Sequence, residues 1–325
     1  MAGLITETKE FKEFAQKAKE GKTFHGYIAE SDDPLYCDAF LTEVFKYLMC
    51  DRQGCGECSV CYKVRNKMHL DVLYYPRGTG ETISVTEDMN DFAEQVALRP
   101  YEGGNRIFVF NVGKTVRTDW QNKLLKTLEE PPENTYIFIA VSNAEKLLAT
   151  IKSRCANFPI GTPSYEYIKE YLKATGTDNR RAGVSEMLAG RNLTLAMKYA
   201  TDEKYMDMAD DVYEFLVGCK SSREICKYLG RMSVYKDIIG ETADVFIAVF
   251  SRALTGRRAG TAEVYRQNDL DEIYKAYKTT GCTEGIFLAA EIKRMNESNV
   301  NKNALLDELF LRLMEVRYKC RLLSE

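Results

Sequence analysis

Residues 106–155 decide the fold. They open with Arg106-Ile107-Phe108-Val109-Phe110-Asn111-Val112-Gly113 and continue, from Asp119 to Glu130, through Asp-Trp-Gln-Asn-Lys-Leu-Leu-Lys-Thr-Leu-Glu-Glu, stopped by Pro131-Pro132. A second apolar run, Tyr136-Ile137-Phe138-Ile139-Ala140-Val141, leads through a short helical piece to Ser153-Arg154-Cys155. Strand, helix, strand and then an arginine is the order of a parallel α/β sheet.

Reading outward, residues 7–20 predict an amphipathic helix with Phe11, Phe14 and Ala18 on one side. Residues 24–29 predict a short strand, and Glu30-Ser31-Asp32-Asp33-Pro34 a turn whose capping chemistry starts a helix near Leu35. That helix carries Phe40, Leu41, Val44, Phe45 and Leu48. Another strand is expected over 70–75, a Pro-Arg-Gly-Thr-Gly turn over 76–80, and a helix opened by Thr86 or Asp88 that carries Phe92, Val96 and Leu98. Residues 156–160 fit a last short strand. All seven prolines fall at or before Pro163, and only helical pattern follows. Short helices are predicted over 165–174, 180–188 and 193–199, broken at Gly176 and Gly190. Longer ones follow over 203–218, 221–229, 232–254, 262–279, 283–298 and 302–323. In the last, Leu306, Leu309, Phe310, Leu313, Val316 and Cys320 form an apolar stripe, while Arg312, Arg317, Lys319 and Arg321 stay wet or face a partner. The expected division is an α/β domain over 1–162, a small helical domain over 163–202 and an all-α domain over 203–325.

The 325 residues are 45% hydrophobic and 29% charged, ordinary for a soluble chain. With 45 basic and 48 acidic side chains the net charge is −3, so no global field recruits nucleic acid. No apolar stretch reaches the roughly 18 residues of a membrane span, and the N-terminus lacks a signal-peptide core; the expectation is a cytoplasmic protein without membrane contact.

Six of the ten cysteines, Cys37, Cys155, Cys219, Cys226, Cys282 and Cys320, are scattered through helical pattern like reduced core residues. The other four, Cys50, Cys55, Cys58 and Cys61, have spacing Cys-x4-Cys-x2-Cys-x2-Cys, with glycines at 54 and 56. Four thiolates this close can surround one tetrahedral ion; zinc is the default, and such a closed site is structural, with no open position for catalysis. An iron–sulfur cluster is the rival, though the matching ferredoxin-type spacing puts its fourth ligand far downstream. A site without metal is the remaining alternative.

The strand–turn–helix at 24–45 is where a phosphate-binding loop would sit. Such a loop needs glycines and a Lys-Ser/Thr pair. Here Ser31, Asp32, Asp33, Pro34 and Cys37 occupy it, with no glycine or lysine, and Glu30, Asp32 and Asp33 would repel a triphosphate. After Ile107–Phe110 an ATPase would have acidic residues for magnesium and water, but the chain has Asn111-Val112. Arg154 would ordinarily be a solvated charge. Beside an ATP-binding neighbour its guanidinium could stabilise a transferring phosphoryl group. Glu129-Glu130 reads as a solvated helix end rather than a catalytic pair. His25 and His69 support no catalytic triad, and Trp120 reads as core or subunit contact.

Residues 122–132 and 149–155, with the cysteine window directly after the first helix of the fold, resemble the clamp-loader branch of the AAA+ proteins, and within it the delta-prime family. The resemblance is specific over about residues 22–160. It implies an AAA+ domain (P-loop NTPase-like, RecA-like) with a zinc module at 50–61, then a helical lid and an oligomerising collar. It implies structural Zn2+ on Cys50, Cys55, Cys58 and Cys61, no nucleotide bound by this chain, and Arg154 of the Ser153-Arg154-Cys155 motif acting as a finger on a neighbour's ATP. The family's lid arginine should fall near residues 190–194, where Arg191 is out of register. Implied partners are tau/gamma-type ATPase subunits and a delta subunit in a five-subunit ring, with the sliding clamp and primed DNA met through the complex. The implied role is a non-ATP-binding part of the DNA polymerase III machinery in replication, with no activity of its own. An atypical active AAA+ ATPase and a zinc-stabilised interaction module of another complex are the alternatives.

Overall fold

The two apolar runs of the opening stretch become neighbouring strands in the middle of a sheet. A computed structural model describes residues 2–77, 82–102, 104–112, 116–221, 223–255, 266–296 and 300–322. The expected turn at 76–80, Gly113, the beginning of the helix predicted at 262 and the last residues of those predicted to 298 and 323 lie partly or wholly outside the described residues. The chain divides into two compact units, Met1–Tyr167 with Asn192–Thr194, and Ile168–Arg191 with Leu195–Glu325.

In the first unit the elements run α1 (Ala2–Thr6), α2 (Lys9–Lys19), β1 (Gly26–Glu30), α3 (Pro34–Met49), α4 (Ser59–Arg65), β2 (Val72–Tyr75), α5 (Asp88–Val96), β3 (Arg106–Val112), α6 (Asp119–Glu129), β4 (Thr135–Val141), α7 (Ala149–Lys152) and β5 (Ala156–Pro159). The strands form one sheet in the order β2-β3-β4-β1-β5, with every pairing parallel. Successive side chains on a strand point to opposite faces, and both faces here are covered. Phe108, Phe110, Ile137 and Ile139 join Phe92, Trp120, Leu124, Leu128 and Ile151 on one face. Trp120 lies nearly parallel to Phe110, at 5.8 Å between ring centroids, so the tryptophan is core. On the other face Phe138 meets Phe45 and Phe158, and Phe14 packs edge-on against Tyr27 and Phe158.

Helix boundaries follow local chemistry. Asp33 caps α3 and Pro34 takes its first position, where a missing N–H costs nothing. Asp88 opens α5 and its carboxylate accepts from the backbone N–H of Arg77 and Ser84, both at 2.7 Å. Leu98, expected on that helix, falls beyond its end and is exposed. The cysteine window conceals α4, which the sequence pattern did not reveal.

The helices after the sheet are α8 (Tyr165–Ala174), α9 (Asn179–Ala189), α10 (Leu193–Thr201), α11 (Glu203–Gly218), α12 (Ile225–Met232), α13 (Ile239–Thr255), α14 (Gln267–Asn296) and α15 (Lys302–Leu322). The helix expected over 232–254 begins instead with a 3-10 segment, Ser233–Ile238. The two helices expected around residue 280 meet in α14 at Lys278, whose φ of 56° and ψ of −176° interrupt the helix. Within the second unit the stripe Leu306, Leu309, Phe310, Leu313, Val316 and Cys320 is buried, and Phe310 lies 4.4 Å from Phe215 between ring centroids. Arg317 is not free in water: its guanidinium donates to the carbonyls of Leu216 and Val217 at 2.6 and 3.3 Å, satisfying the C-terminal end of α11. No helix among the described residues is long and apolar enough to cross a membrane.

Candidate functional site

Cys50 ends α3, and Cys58 caps α4 by accepting the Cys61 N–H through its sulfur at 3.4 Å. Between them the chain doubles back through Gly54 and Gly56, with φ of +84° and +82°. A side chain at Gly54 would meet the backbone N of Tyr47 at 3.3 Å, so the loop lies directly on the end of α3. Arg65 closes the knuckle by donating to Gly56 O at 2.9 Å. All four sulfurs lie within 4.8 Å of one another, with Cys50 Sγ 3.8 Å from Cys55 Sγ and 3.6 Å from Cys58 Sγ. Four sulfurs at about 2.3 Å from a tetrahedral ion stand about 3.8 Å apart. A disulfide would require about 2.05 Å. The donor set and its spacing therefore fit one metal ion. Burial opposes ionisation of Cys50, but N–H groups of Cys55, Gly54 and Arg52 outweigh it and bring that thiol down to about 6. Burial instead pushes Cys61 up.

In the loop between β1 and α3 the backbone donors that open the helix are already taken. The Asp33 carboxylate is buried, and its Oδ1 accepts from Tyr36 N at 3.2 Å, Thr194 N at 3.0 Å and the Thr194 hydroxyl at 2.6 Å. Its Oδ2 accepts from Leu193 N. Leu35 N donates to Thr194 Oγ1 at 3.1 Å, and Cys37 N to Asp33 O at 2.9 Å. Pro34 has no N–H. Each backbone donor in the first turn of α3 that a phosphate would use is thus engaged. Asp33 N in turn donates to Ser31 Oγ at 3.1 Å, while Asp32 is exposed. Cys37 is buried, and desolvation, with Asp38 and Asp33 adding, pushes its thiol up to about 12. Asn111 is exposed near the end of β3 and Val112 is buried.

Arg154 follows α7. Its Nη2 lies 2.8 Å from Glu129 Oε1, and its Nη1 donates to Thr150 O at 3.1 Å and Ser153 Oγ at 3.3 Å. Ser153 therefore helps hold the guanidinium. Cys155 has a packing role: its sulfur fills space beside Gly26, and burial raises its thiol to about 12, far from a reactive thiolate. Parallel pairing fixes where these groups lie. Tyr27 is level with Ala156 and Glu30 with Pro159, so Arg154 sits at the end of the sheet where β1 begins, whereas the Ser31–Cys37 loop leaves from the end where β1 stops. The strand between them, β1, spans about 13 Å at about 3.3 Å per residue. Arg154 and the degenerate loop are thus not brought together, while Asn111 lies toward the loop's end of the sheet.

Residues that sequence reasoning missed are Glu129, as the partner of Arg154, and Thr194, as the partner of Asp33. Glu129 had a weak signal, a carboxylate at the end of the helix before β4, two strands from the arginine's own; Thr194 had none. His25 Nε2 lies 2.9 Å from Leu128 O, and the buried His69 accepts the Asp71 N–H at 3.1 Å; both are structural.

The site is thus a parallel sheet with a β1–α3 turn whose first-turn donors are engaged at one end and an arginine at the other. Residues 6–164 match the family model described as DNA polymerase III, delta subunit. DNA polymerase III subunit delta' of Haemophilus influenzae is 30% identical over 167 residues, 50% of this chain and 51% of that one. Its Escherichia coli counterpart is 25% identical over 177 residues, 53% of each chain. The aligned part is therefore about half the length of these relatives. Among solved structures, a DNA polymerase III, gamma subunit-related protein of Thermotoga maritima is 17% identical, with a TM-score of 0.43 over 94% of this chain and 99% of that one.

Proposed function

We propose that this chain is the non-hydrolysing delta-prime subunit of a bacterial sliding-clamp loader and lends Arg154 to the ATP of an adjoining subunit. One observation carries the reading: Arg154 and the chain's own phosphate loop lie at opposite ends of β1, and the loop's donors are consumed. An arginine so situated has no nucleotide of its own to serve. Held against a neighbour's γ-phosphate, a guanidinium offers two N–H groups and a positive charge to the oxygens that gain charge as the phosphoryl group leaves. Ser153 would steady it, and Asn111-Val112 supplies no carboxylate for magnesium.

In this reading residues 1–162 are the AAA+ base, 163–202 a lid and 203–325 an oligomerising collar. Cys50, Cys55, Cys58 and Cys61 hold a structural zinc, the choice favoured over a cluster by sulfur separations of 3.6 and 3.8 Å that suit one ion. The partners are tau/gamma-type ATPase subunits and a delta subunit in a five-subunit ring, acting on the clamp and primed DNA.

The test is reconstitution with those subunits. The expected result is a stable complex whose clamp- and DNA-stimulated ATPase falls in part with Arg154→Ala, while the isolated chain neither binds nor hydrolyses ATP. Micromolar ATP binding by the isolated chain, or undiminished clamp loading with Arg154→Ala, would overturn it.

A further inference from the structure

Asp33 does more than cap one helix. Its two carboxylate oxygens take donors from two segments about 160 positions apart: Tyr36 N on α3, and Leu193 N, Thr194 N and the Thr194 hydroxyl at the start of α10. Thr194 closes the arrangement from the other side, its hydroxyl oxygen accepting from Leu35 N at 3.1 Å. Two helix N-termini, each carrying partial positive charge and unsatisfied N–H groups, converge on one anion. In a nucleotide-binding protein an anion in such a position would come from outside. Here it is part of the chain, buried and fully coordinated.

We infer that Asp33 is a built-in surrogate for a phosphate: a permanent anion that keeps Leu193 and Thr194 docked on the β1–α3 turn whether or not nucleotide is present. This rests on the reading that the loop has ceased to bind ATP, and it goes further by assigning the vacated electrostatic role to one residue. Charge is central to the argument. A carboxylate accepts at both oxygens, and bonds to a charged acceptor are about twice as strong as neutral ones. An asparagine would turn an N–H2 toward the Leu193 N–H or forfeit the other three donors. A glutamate would carry the charge too far along the turn. Leu193 and Thr194 are therefore held by chemistry that no nucleotide cycle can switch off.

The experiment is amide hydrogen exchange, residue by residue, on the full chain. Wild type, with and without millimolar ATP and magnesium, is compared with Asp33→Asn, Asp33→Ala and Thr194→Val, the β3 amides serving as the internal standard for global stability. The expected result is that ATP leaves wild-type exchange unchanged. Both Asp33 variants should lose at least about tenfold protection at the amides of Tyr36, Leu193 and Thr194 relative to β3. Thr194→Val, which keeps the carboxylate, should lose protection mainly at Leu35. If Asp33→Ala fails to fold, Asp33→Asn carries the comparison. Wild-type protection at those amides in Asp33→Asn would overturn the surrogate role. ATP-dependent protection of the wild-type loop would instead overturn the reading beneath it, so the two failures are distinct.

Discussion

Arg154 Nη2 lies 2.8 Å from Glu129 Oε1, and the two side chains are 35% and 51% exposed. At such exposure an ion pair contributes about 0–1 kcal/mol, because water screens it and two long side chains must be ordered. Glu129 therefore occupies the guanidinium without committing it, and a phosphoryl group, carrying more charge, can displace the carboxylate.

Two substitutions separate parking from chemistry. Arg154→Ala should leave folding stability within about 1 kcal/mol of wild type. If Arg154 is the proposed finger, the substitution should cost about 10³-fold at one neighbouring ATP site. Total ATPase of the complex should fall only in part, because the other sites remain intact. Glu129→Gln should preserve that ATPase or raise it. Single-turnover hydrolysis in the reconstituted complex checks both, and a loss with Glu129→Gln as deep as with Arg154→Ala would show that the carboxylate itself is needed.

Metal analysis should return one zinc per chain, absent in Cys61→Ser. Chelation should open α4 and the 50–61 loop while the sheet, with its own core of Phe108, Phe110, Ile137 and Trp120, stays folded. Protons compete with the metal for thiolates, and the buried Cys61 thiol, raised by desolvation, would release its proton to solvent as the ion takes its place. Zinc release to a colorimetric chelator should therefore accelerate as pH falls from 8 to 5. Release independent of pH, or loss of β3 and β4 amide protection on chelation, would contradict this arrangement.

His69 adds a second acid sensitivity. It is buried, its Nδ1 accepts the Asp71 N–H at 3.1 Å, and desolvation lowers its pKa despite the opposing charges of Glu102 and Asp71. A histidine depressed in the folded state binds its proton more readily when unfolded. Its contribution is therefore complete above the unfolded value of about 6.5 and is lost as pH falls below it, toward the lower folded value. His69→Asn keeps an acceptor for Asp71 N and removes the titration, so its midpoint temperature should fall less steeply between pH 7 and 5. Equal slopes for the two proteins would assign the acid sensitivity elsewhere.

What the sequence made legible was local. Ile107–Phe110 and Tyr136–Val141 announced themselves because strands packed on both faces need uninterrupted apolar side chains. Asp33-Pro34 announced a helix because a cap followed by proline has few other uses. The four-cysteine spacing announced a sulfur cluster able to hold a metal because its four cysteines lie within one short stretch. The missed features depend on distance or on compactness. The Asp33–Thr194 bonds join positions far apart in the chain, and no periodicity marks either residue. The pairing of Glu129 with Arg154 depends on strand order, which brings the end of α6 beside the start of β5. Helix α4, only seven residues long, was hidden by the cysteine that caps it and the one it carries.

Gly26 connects the sheet to the arginine. A methyl group there would lie 2.9 Å from both Cys155 Sγ and Leu128 Cδ2, and 3.6 Å from the carbonyl oxygen of Arg154. Leu128 can swing its branch aside, but Cys155 is fixed at the head of β5, so Gly26→Ala must push that strand end outward. Overpacking of this kind costs about 1–3 kcal/mol, readable as a lower urea midpoint at unchanged slope. Because the displaced residue adjoins Arg154, the variant should also lower the complex's ATPase. Adding Cys155→Ala removes the fixed sulfur and should recover part of both losses, with a coupling of at least about 0.5 kcal/mol between the two sites. Strict additivity of the two substitutions would mean that β5 does not bear on Gly26, and that the position of Arg154 is set by its bonds to Thr150, Ser153 and Glu129 alone.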